Sequence, residues 1–186
     1  MKKLISLFTV CLLVFACSKP DTTIALNKVG AITNHTTIQD LATLFKNDSI
    51  VSRYSEGDLG NINDYVLDND THLIYAKGGE LLLSISPVNP LDSVSKIKSV
   101  TVFSEAYQTK EEVGVASTFN DVNVNHTIEK LEASFKSVTV FVKDINATFT
   151  MDKQELGIKT FTLGIVDKAQ IPGDAKFTSL TIWLEE

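Results

Sequence analysis

Apolar and polar residues alternate along several short stretches in the second half of the chain. In residues 137–143 every second residue is a valine, at Val138, Val140 and Val142. Because successive side chains of a β-strand point to opposite faces, this period of two predicts a strand with one buried face. The β-branched and aromatic residues that strands favour also dominate residues 96–104, 147–151, 159–166 and 177–184. Sheets buried on one face are typically antiparallel, so the alternation limits the chain to folds built on such a sheet.

A glycine turn supports the antiparallel arrangement. Residues 72–76 and 80–86 flank Lys77-Gly78-Gly79, and glycine readily adopts the positive φ that a tight hairpin turn requires. Residues 127–136 fit either a helical spacing or a strand alternation, and we favour a strand because further strands are predicted after it. Residues 55–71 are rich in Gly, Asp and Asn, which predicts a surface loop.

One segment has the spacing of a helix. Apolar residues recur every three or four positions over about residues 37–46, which predicts the main helix there. Thr37 is followed by Asp40, which is typical of a capping box with Asp in place of Glu. The order Thr, apolar, amide, Asp, apolar returns at residues 118–122 and predicts a second, short helical turn. The predicted fold class is therefore α+β, mostly antiparallel sheet with one main helix and one or two short helical turns.

The first seventeen residues have the composition of an export signal. Two lysines precede an apolar run over residues 4–16. A helix of this length spans roughly 20 Å, too short for a hydrocarbon core of ~30 Å, so the run predicts a signal peptide and not a membrane span. Val14-Phe15-Ala16-Cys17 resembles the lipobox of bacterial lipoproteins, although Phe15 is bulkier than the usual residue. The resemblance implies cleavage between Ala16 and Cys17 and acylation of Cys17.

The cysteine content is consistent with an anchor at Cys17. Cys11 lies within the apolar run, so the cleaved chain keeps one thiol, too few for an internal disulfide or a cysteine-ligated metal site. The resemblance implies several acyl chains on Cys17, and at ~0.8 kcal/mol per buried CH₂ these hold a domain on a membrane essentially permanently. We expect a signal peptide over residues 1–16, a lipidated N-terminus and tether over residues 17–29, and a single globular domain over residues 30–186. The expected location is a bacterial membrane, and specifically the outer membrane.

Three longer motifs carry a family resemblance. Gly30-Ala31-Ile32 leads into residues 37–41, residues 114–121 read Gly-Val-Ala-Ser-Thr-Phe-Asn-Asp, and residues 151–156 read Met-Asp-Lys-Gln-Glu-Leu. Their order resembles small bacterial lipoproteins that are common in Bacteroidota, which implies a fold type and a location. Ala116 departs from the glycine that usually stands there. Three Asp-Ser/Thr triplets also resemble a periplasmic O-glycosylation signal of that lineage, which implies glycosylation at Thr22, Ser49 and Ser93.

Charge and polar residues predict no nucleic-acid, metal, cofactor or catalytic site. Removal of residues 1–16 takes away two lysines and changes the formal net charge from −6 to −8, and no basic cluster offers a site for a polyanion. His35, His72 and His126 lack metal-ligand spacing. A metal or acid–base site shared by His35 and His126 is the sharper alternative to surface histidines. Trp183 ends the last predicted strand and is expected to lie in the core rather than to form a sugar-binding platform.

The leading hypothesis is a non-enzymatic, membrane-anchored binding or structural module of the cell envelope. An alternative is a periplasmic inhibitor or assembly accessory that grips one protein partner through the sheet face or through the loops at residues 55–71 and 105–117. A hydrolase of envelope glycans is a third hypothesis. It needs two carboxylates at a defined separation, which the sequence does not specify.

Overall fold

Two antiparallel sheets form the framework of the protein, whose structure here is a computed structural model. The structure describes residues 20–53, 71–158 and 162–184. The predicted signal peptide, Cys17 and residues 55–70 of the predicted loop lie outside the described residues. Among the residues that are described, no helix is long and apolar enough to cross a membrane.

The strands are short and joined mainly by turns. In chain order they are β1 (Ile24–Ala25), β2 (Lys28–Val29), β3 (Ile32–Thr33), β4 (Ser49–Arg53), β5 (Thr71–Tyr75), β6 (Leu81–Pro87), β7 (Ile97–Val102), β8 (Ile128–Ala133), β9 (Ser137–Val142), β10 (Ala147–Asp152), β11 (Gly164–Ile165) and β12 (Ser179–Trp183). The helices are α1 (Leu41–Leu44) and α2 (Phe119–Asn125), with 3-10 turns at Ile38–Asp40 and Lys168–Gln170. A small sheet has the order β1-β2-β3, and a nine-stranded sheet has the order β11-β8-β9-β10-β12-β7-β6-β5-β4.

The alternation in the sequence becomes a buried face and a more exposed face of the large sheet. In β9 the three valines are buried, whereas Ser137, Thr139 and Phe141 are half-buried. The same alternation holds in β10 and in most of β12. The buried face packs against α2, α1 and the small sheet in one hydrophobic core. Burial of this face at roughly 25 cal/mol per Å² of apolar surface is the main stabilisation of such a sheet.

These elements confirm the predicted fold class. The glycine hairpin joins β5 to β6, with Gly79 at φ +84°, and the ambiguous residues 127–136 form β8. The main helix was predicted too long, because residues 37–46 form the 3-10 turn and then one α-helical turn that ends as Phe45 leaves helical geometry. The longer helix is α2, at the second Thr motif. Of the strand predicted at residues 159–166, only Gly164–Ile165 is a strand, and residues 159–161 lie outside the described part.

The predicted boundary between tether and domain at residue 30 is wrong, because earlier residues already pack into the fold. Ile24 and Val29 are 1% and 0% exposed and belong to the core. The Ile24 N–H donates to the Gln108 carbonyl at 2.8 Å. Gly30 has φ +57°, and a Cβ there would lie 2.5 Å from the Asp21 carbonyl oxygen. Glycine therefore lets the chain turn closely past Asp21, and the packed domain includes residues that come before the predicted boundary.

Candidate functional site

The residues singled out for modification lie at different places. Cys17 and Ala16 lie outside the described residues. Ser49 at the start of β4 and Ser93 in the β6–β7 loop are exposed, as O-glycosylation would require. Thr22 is half-buried, and its carbonyl accepts the Gln108 N–H at 3.2 Å. Glycosylation at these three residues stays a prediction.

The three histidines lie in separate environments. His35 is exposed, and its N–H donates to the Thr33 hydroxyl at 3.3 Å. His72 is buried in β5, with its Nδ1 2.9 Å from the Ser52 hydroxyl. Within residues 20–53, 71–158 and 162–184, no group of three or more His, Cys, Asp or Glu side chains could hold a metal ion.

His126 lies in the middle of a hydrogen-bonded relay. Its Nε2 is 3.4 Å from the Thr109 hydroxyl, and its Nδ1 is 2.7 Å from Asp144 Oδ2. The other Asp144 oxygen accepts the Thr127 N–H at 2.9 Å. The relay joins the loop before α2, the end of α2 and the β9–β10 turn. The His126 side chain is 2% exposed, whereas the Asp144 side chain is 41% exposed, so the relay runs from a buried hydroxyl to a carboxylate at the surface.

The backbone hydrogen bonds to Thr109 favour one direction of donation along the relay. The Thr109 hydroxyl accepts the N–H groups of Glu111 and Val113, each at 3.3 Å. Since a hydroxyl has two acceptor lone pairs, its own proton is left to point at His126 Nε2. Neutral His126 then carries its proton on Nδ1, towards Asp144. Burial alone would raise the pKa of Asp144, but hydrogen bonds from His126 and Thr127 outweigh burial and hold it below the ordinary value.

The order hydroxyl, imidazole, carboxylate is also that of an acyl-transfer triad, but the burial does not suit that chemistry. A nucleophile needs an exposed oxygen and room for a carbonyl substrate beside it. Thr109 is 6% exposed, and its oxygen already holds two backbone N–H groups. The arrangement as it stands ties three chain segments together. Sequence reasoning placed His126 near a Thr motif but missed Thr109 and Asp144, because residues 17 and 18 positions away give no local signal.

A second buried polar group lies at the far end of the sheet. Lys153 is 1% exposed, directly after β10. Its ammonium donates to the Ser134 carbonyl at 2.7 Å and to the Thr162 carbonyl. These hydrogen bonds connect the end of β10 to the β8–β9 turn and to the segment before β11. A charged group this deep is retained only when several acceptors replace its water.

Trp183 lies on the more exposed face of the sheet, and its prediction as a core residue is wrong. It is 38% exposed, because in β12 Leu180 and Ile182 take the core side and leave Thr181 and Trp183 on the opposite side. The indole Nε1 donates to the Thr148 hydroxyl at 3.2 Å, which holds the ring in one orientation. The alternation predicted two faces for this strand but not which of them carries Trp183.

Two open hollows share Trp183 as part of their lining. One, of about 540 Å³, is also lined by Leu26 and Lys143. The other, of about 350 Å³, is also lined by Val88, Pro90 and Lys98. We call these six residues together the Trp183 patch. The patch combines exposed apolar side chains with two exposed lysines, an arrangement suited to contact with a surface that is both apolar and polar.

Comparisons with known proteins give one distant likeness. No protein-family model matches the chain, and no curated protein matches it. A solved structure described as the uncharacterized protein yfeY from Escherichia coli is similar with a TM-score of 0.46 and 12% sequence identity, over 89% of this chain and 99% of that one.

Proposed function

We propose that this protein is exported, anchored to a bacterial membrane through acylated Cys17, and serves there as a non-enzymatic binding or structural module. The observation that carries the proposal is the sequence at the signal: an apolar run too short to span a bilayer ends in Ala16-Cys17, and no cysteine follows. The outer membrane is the proposed location.

The start of the ordered domain suits such an anchor. Pro20 and Asp21 are exposed, so the chain enters the fold from the surface. Asp21 is then held by Lys28 at 2.9 Å and by the Thr23 N–H, also at 2.9 Å. An acyl group four residues earlier would therefore leave the packing of the domain undisturbed.

The polar networks support a module without catalytic chemistry. The relay of Thr109, His126 and Asp144 has its hydroxyl buried and engaged by backbone N–H groups. Lys153 is buried and bound to carbonyls. Both networks hold chain segments together, and the exposed polar and apolar side chains of the Trp183 patch are placed for contact instead.

Metabolic labelling tests the anchor. Cells that export the full chain are grown with an alkyne fatty acid, and the protein is expected to carry the label. Cys17→Ala should lose the label and retain the signal peptide, whereas the matched variant Cys11→Ala should keep the label. A labelled band that persists in Cys17→Ala would overturn the proposal.

A further inference from the structure

The anchor enters the domain close to the Trp183 patch. Cys17 is four residues before Asp21, so at ~3.6 Å per residue it lies at most about 14 Å from that residue. Asp21 is fixed by its ion pair with Lys28 of β2. Lys28 pairs with Ala25 across the β1–β2 hairpin, and Leu26 occupies the turn between them. Leu26 is 55% exposed and lines the same hollow as Trp183.

The tether is therefore too short to let the domain stand far from the lipid. If Cys17 is embedded at a bilayer surface, the β1–β2 turn is held beside that surface. Of the surfaces near this turn, the Trp183 patch presents apolar area: Leu26 is 55%, Val88 46% and Trp183 38% exposed. Exposed apolar groups that are held beside a bilayer are favoured to enter its interfacial layer.

The composition of the patch also fits a lipid interface. Tryptophan is enriched at the headgroup level, where an apolar ring and a polar edge are both accommodated. Lys98 and Lys143 are exposed on either side of the ring, and lysine can extend its ammonium to the headgroups while its stem covers apolar surface. Because Trp183 Nε1 is bound to Thr148, the ring is already fixed in place before any contact.

We propose that the Trp183 patch docks the domain onto the lipid surface of the membrane that holds its own anchor. This proposal rests on the anchoring at Cys17 proposed above. Glu129 lines the same hollow as Lys143, so the charge of that lysine is offset by a nearby acid. Apolar contact rather than net positive charge therefore drives docking, and a zwitterionic bilayer should support it.

Trp183 is the single tryptophan of the chain, so its fluorescence reports on the patch alone. The lipidated protein that begins at Cys17 is purified from membranes and reconstituted into phosphatidylcholine vesicles with or without acyl chains brominated near the headgroup. Emission of Trp183 in the vesicles without bromine is the reference. The brominated lipid should then quench it.

A reporter at the other end of the sheet is the matched control. Phe135 is 70% exposed in the β8–β9 turn, at the opposite end of β9 from Val142. A protein with Trp183→Phe and Phe135→Trp should float with the vesicles and show no quenching. Equal quenching of both reporters would mean that the domain has no preferred face and would overturn the docking proposal.

Two further variants keep the native tryptophan and test the patch without touching the core. Val88→Asp places a charge in the patch and should reduce the quenching of Trp183. Val124→Asp places the same charge on α2, where Val124 is 71% exposed, and should leave the quenching unchanged. Equal quenching in the two variants would overturn the proposal.

Flotation separates the two proposals. A chain that does not float with vesicles contradicts the anchor. A chain that floats with Trp183 unquenched keeps the anchor and overturns docking. Emission that is unaffected by lipid but shifted by soluble glycan fragments would assign the patch to saccharides and overturn docking as well.

Discussion

At the scale of single residues, Lys153 shows how a buried charged side chain can stabilise a β-rich domain by donating to backbone carbonyls. Its side chain is buried, and its ammonium donates to two carbonyl oxygens, those of Ser134 and Thr162. Removal of the ammonium leaves these acceptors without their donor, and a buried unsatisfied polar group is costly.

We expect Lys153→Met to lower the free energy of unfolding by about 1–3 kcal/mol, the typical penalty for an orphaned buried group. Urea unfolding followed by circular dichroism measures it. Lys136→Met is the control, because Lys136 is exposed in the nearby turn and surface changes usually stay within ~0.5 kcal/mol. Equal stability of the two variants would contradict a structural role for the buried ammonium.

The relay gives a second prediction for a single residue. Thr109→Val keeps the shape of the side chain but removes the acceptor of two backbone N–H groups and the donor to His126. We expect a loss of about 1–3 kcal/mol in the free energy of unfolding. Thr127→Val, at an exposed residue beside the relay, should be nearly neutral.

The same relay separates a structural from a catalytic role. A fluorophosphonate probe, which reacts with activated hydroxyl nucleophiles, should not label the native protein, because the Thr109 oxygen is buried and engaged. Labelling of the native protein that disappears in Thr109→Val would show an activated hydroxyl at Thr109 and contradict its structural role.

At the scale of elements, the two Thr motifs form the same capping box at the N-terminus of a helical segment. Thr37 and Thr118 each donate through the backbone N–H and the hydroxyl to an aspartate three residues later, at 2.9 and 2.7 Å for Asp40 and 2.8 and 2.7 Å for Asp121. Both capping boxes could be predicted from the sequence, because a capping box is a local pattern. It did not predict which helix is longer, since length depends on packing against distant strands.

Thr118→Ala is expected to lower the free energy of unfolding by ~1 kcal/mol, since α2 then loses its cap. Asn123→Ala, at an exposed position within the same helix, removes no cap and is expected to be neutral or slightly stabilising. Thermal unfolding of both variants gives the comparison. A Thr118→Ala protein that melts with the native protein would show that the cap contributes nothing.

The cap at Thr118 and the ion pair between Asp21 and Lys28 also predict that the protein loses stability in acid. The Lys28 ammonium lowers the pKa of Asp21 to about 2, and the Thr118 N–H lowers the pKa of Asp121. Because these folded pKa values lie below the ordinary value near 3.9, their contribution is complete above about pH 4 and is lost as the pH falls towards 2.

Urea midpoints measured between pH 7 and pH 2 test this loss of stability. They should hold near neutrality and fall below about pH 4, with a shallower fall in Asp121→Asn, which has no carboxylate to protonate there. Midpoints that rise on acidification would contradict the assigned ion pair and cap.

Strand positions and strand order differ in how far they could be predicted. The period of two predicted the positions of β7, β9, β10 and β12 to within a few residues, because the polarity of each side chain indicates whether it lies on the buried or the exposed face. The insertion of β12 between β10 and β7 depends on pairing of residues far apart in sequence, such as Thr181 with Thr101, and no local pattern encodes it. The relay and the exposure of Trp183 were missed for the same reason.

At the scale of the whole molecule, an anchor at Cys17, as proposed, would determine which surface can reach the membrane. Ile24 and Val29 belong to the core, so the packed domain reaches closer to Cys17 than the predicted boundary at residue 30. A longer tether would have left the orientation of the domain free. With this one, the proposed anchor at Cys17 would hold the β1–β2 turn and the adjoining Trp183 patch beside the membrane.

The central claim is that Cys17 becomes an acylated N-terminus, and the mass of the N-terminal peptide tests it most directly. Protein purified from membranes is digested, and that peptide is measured by mass spectrometry. We expect it to begin at Cys17 and to carry the added mass of a diacylglycerol and an amide-linked acyl chain. A peptide that retains Phe15-Ala16, or one that begins at Cys17 with an unmodified thiol, would contradict the claim.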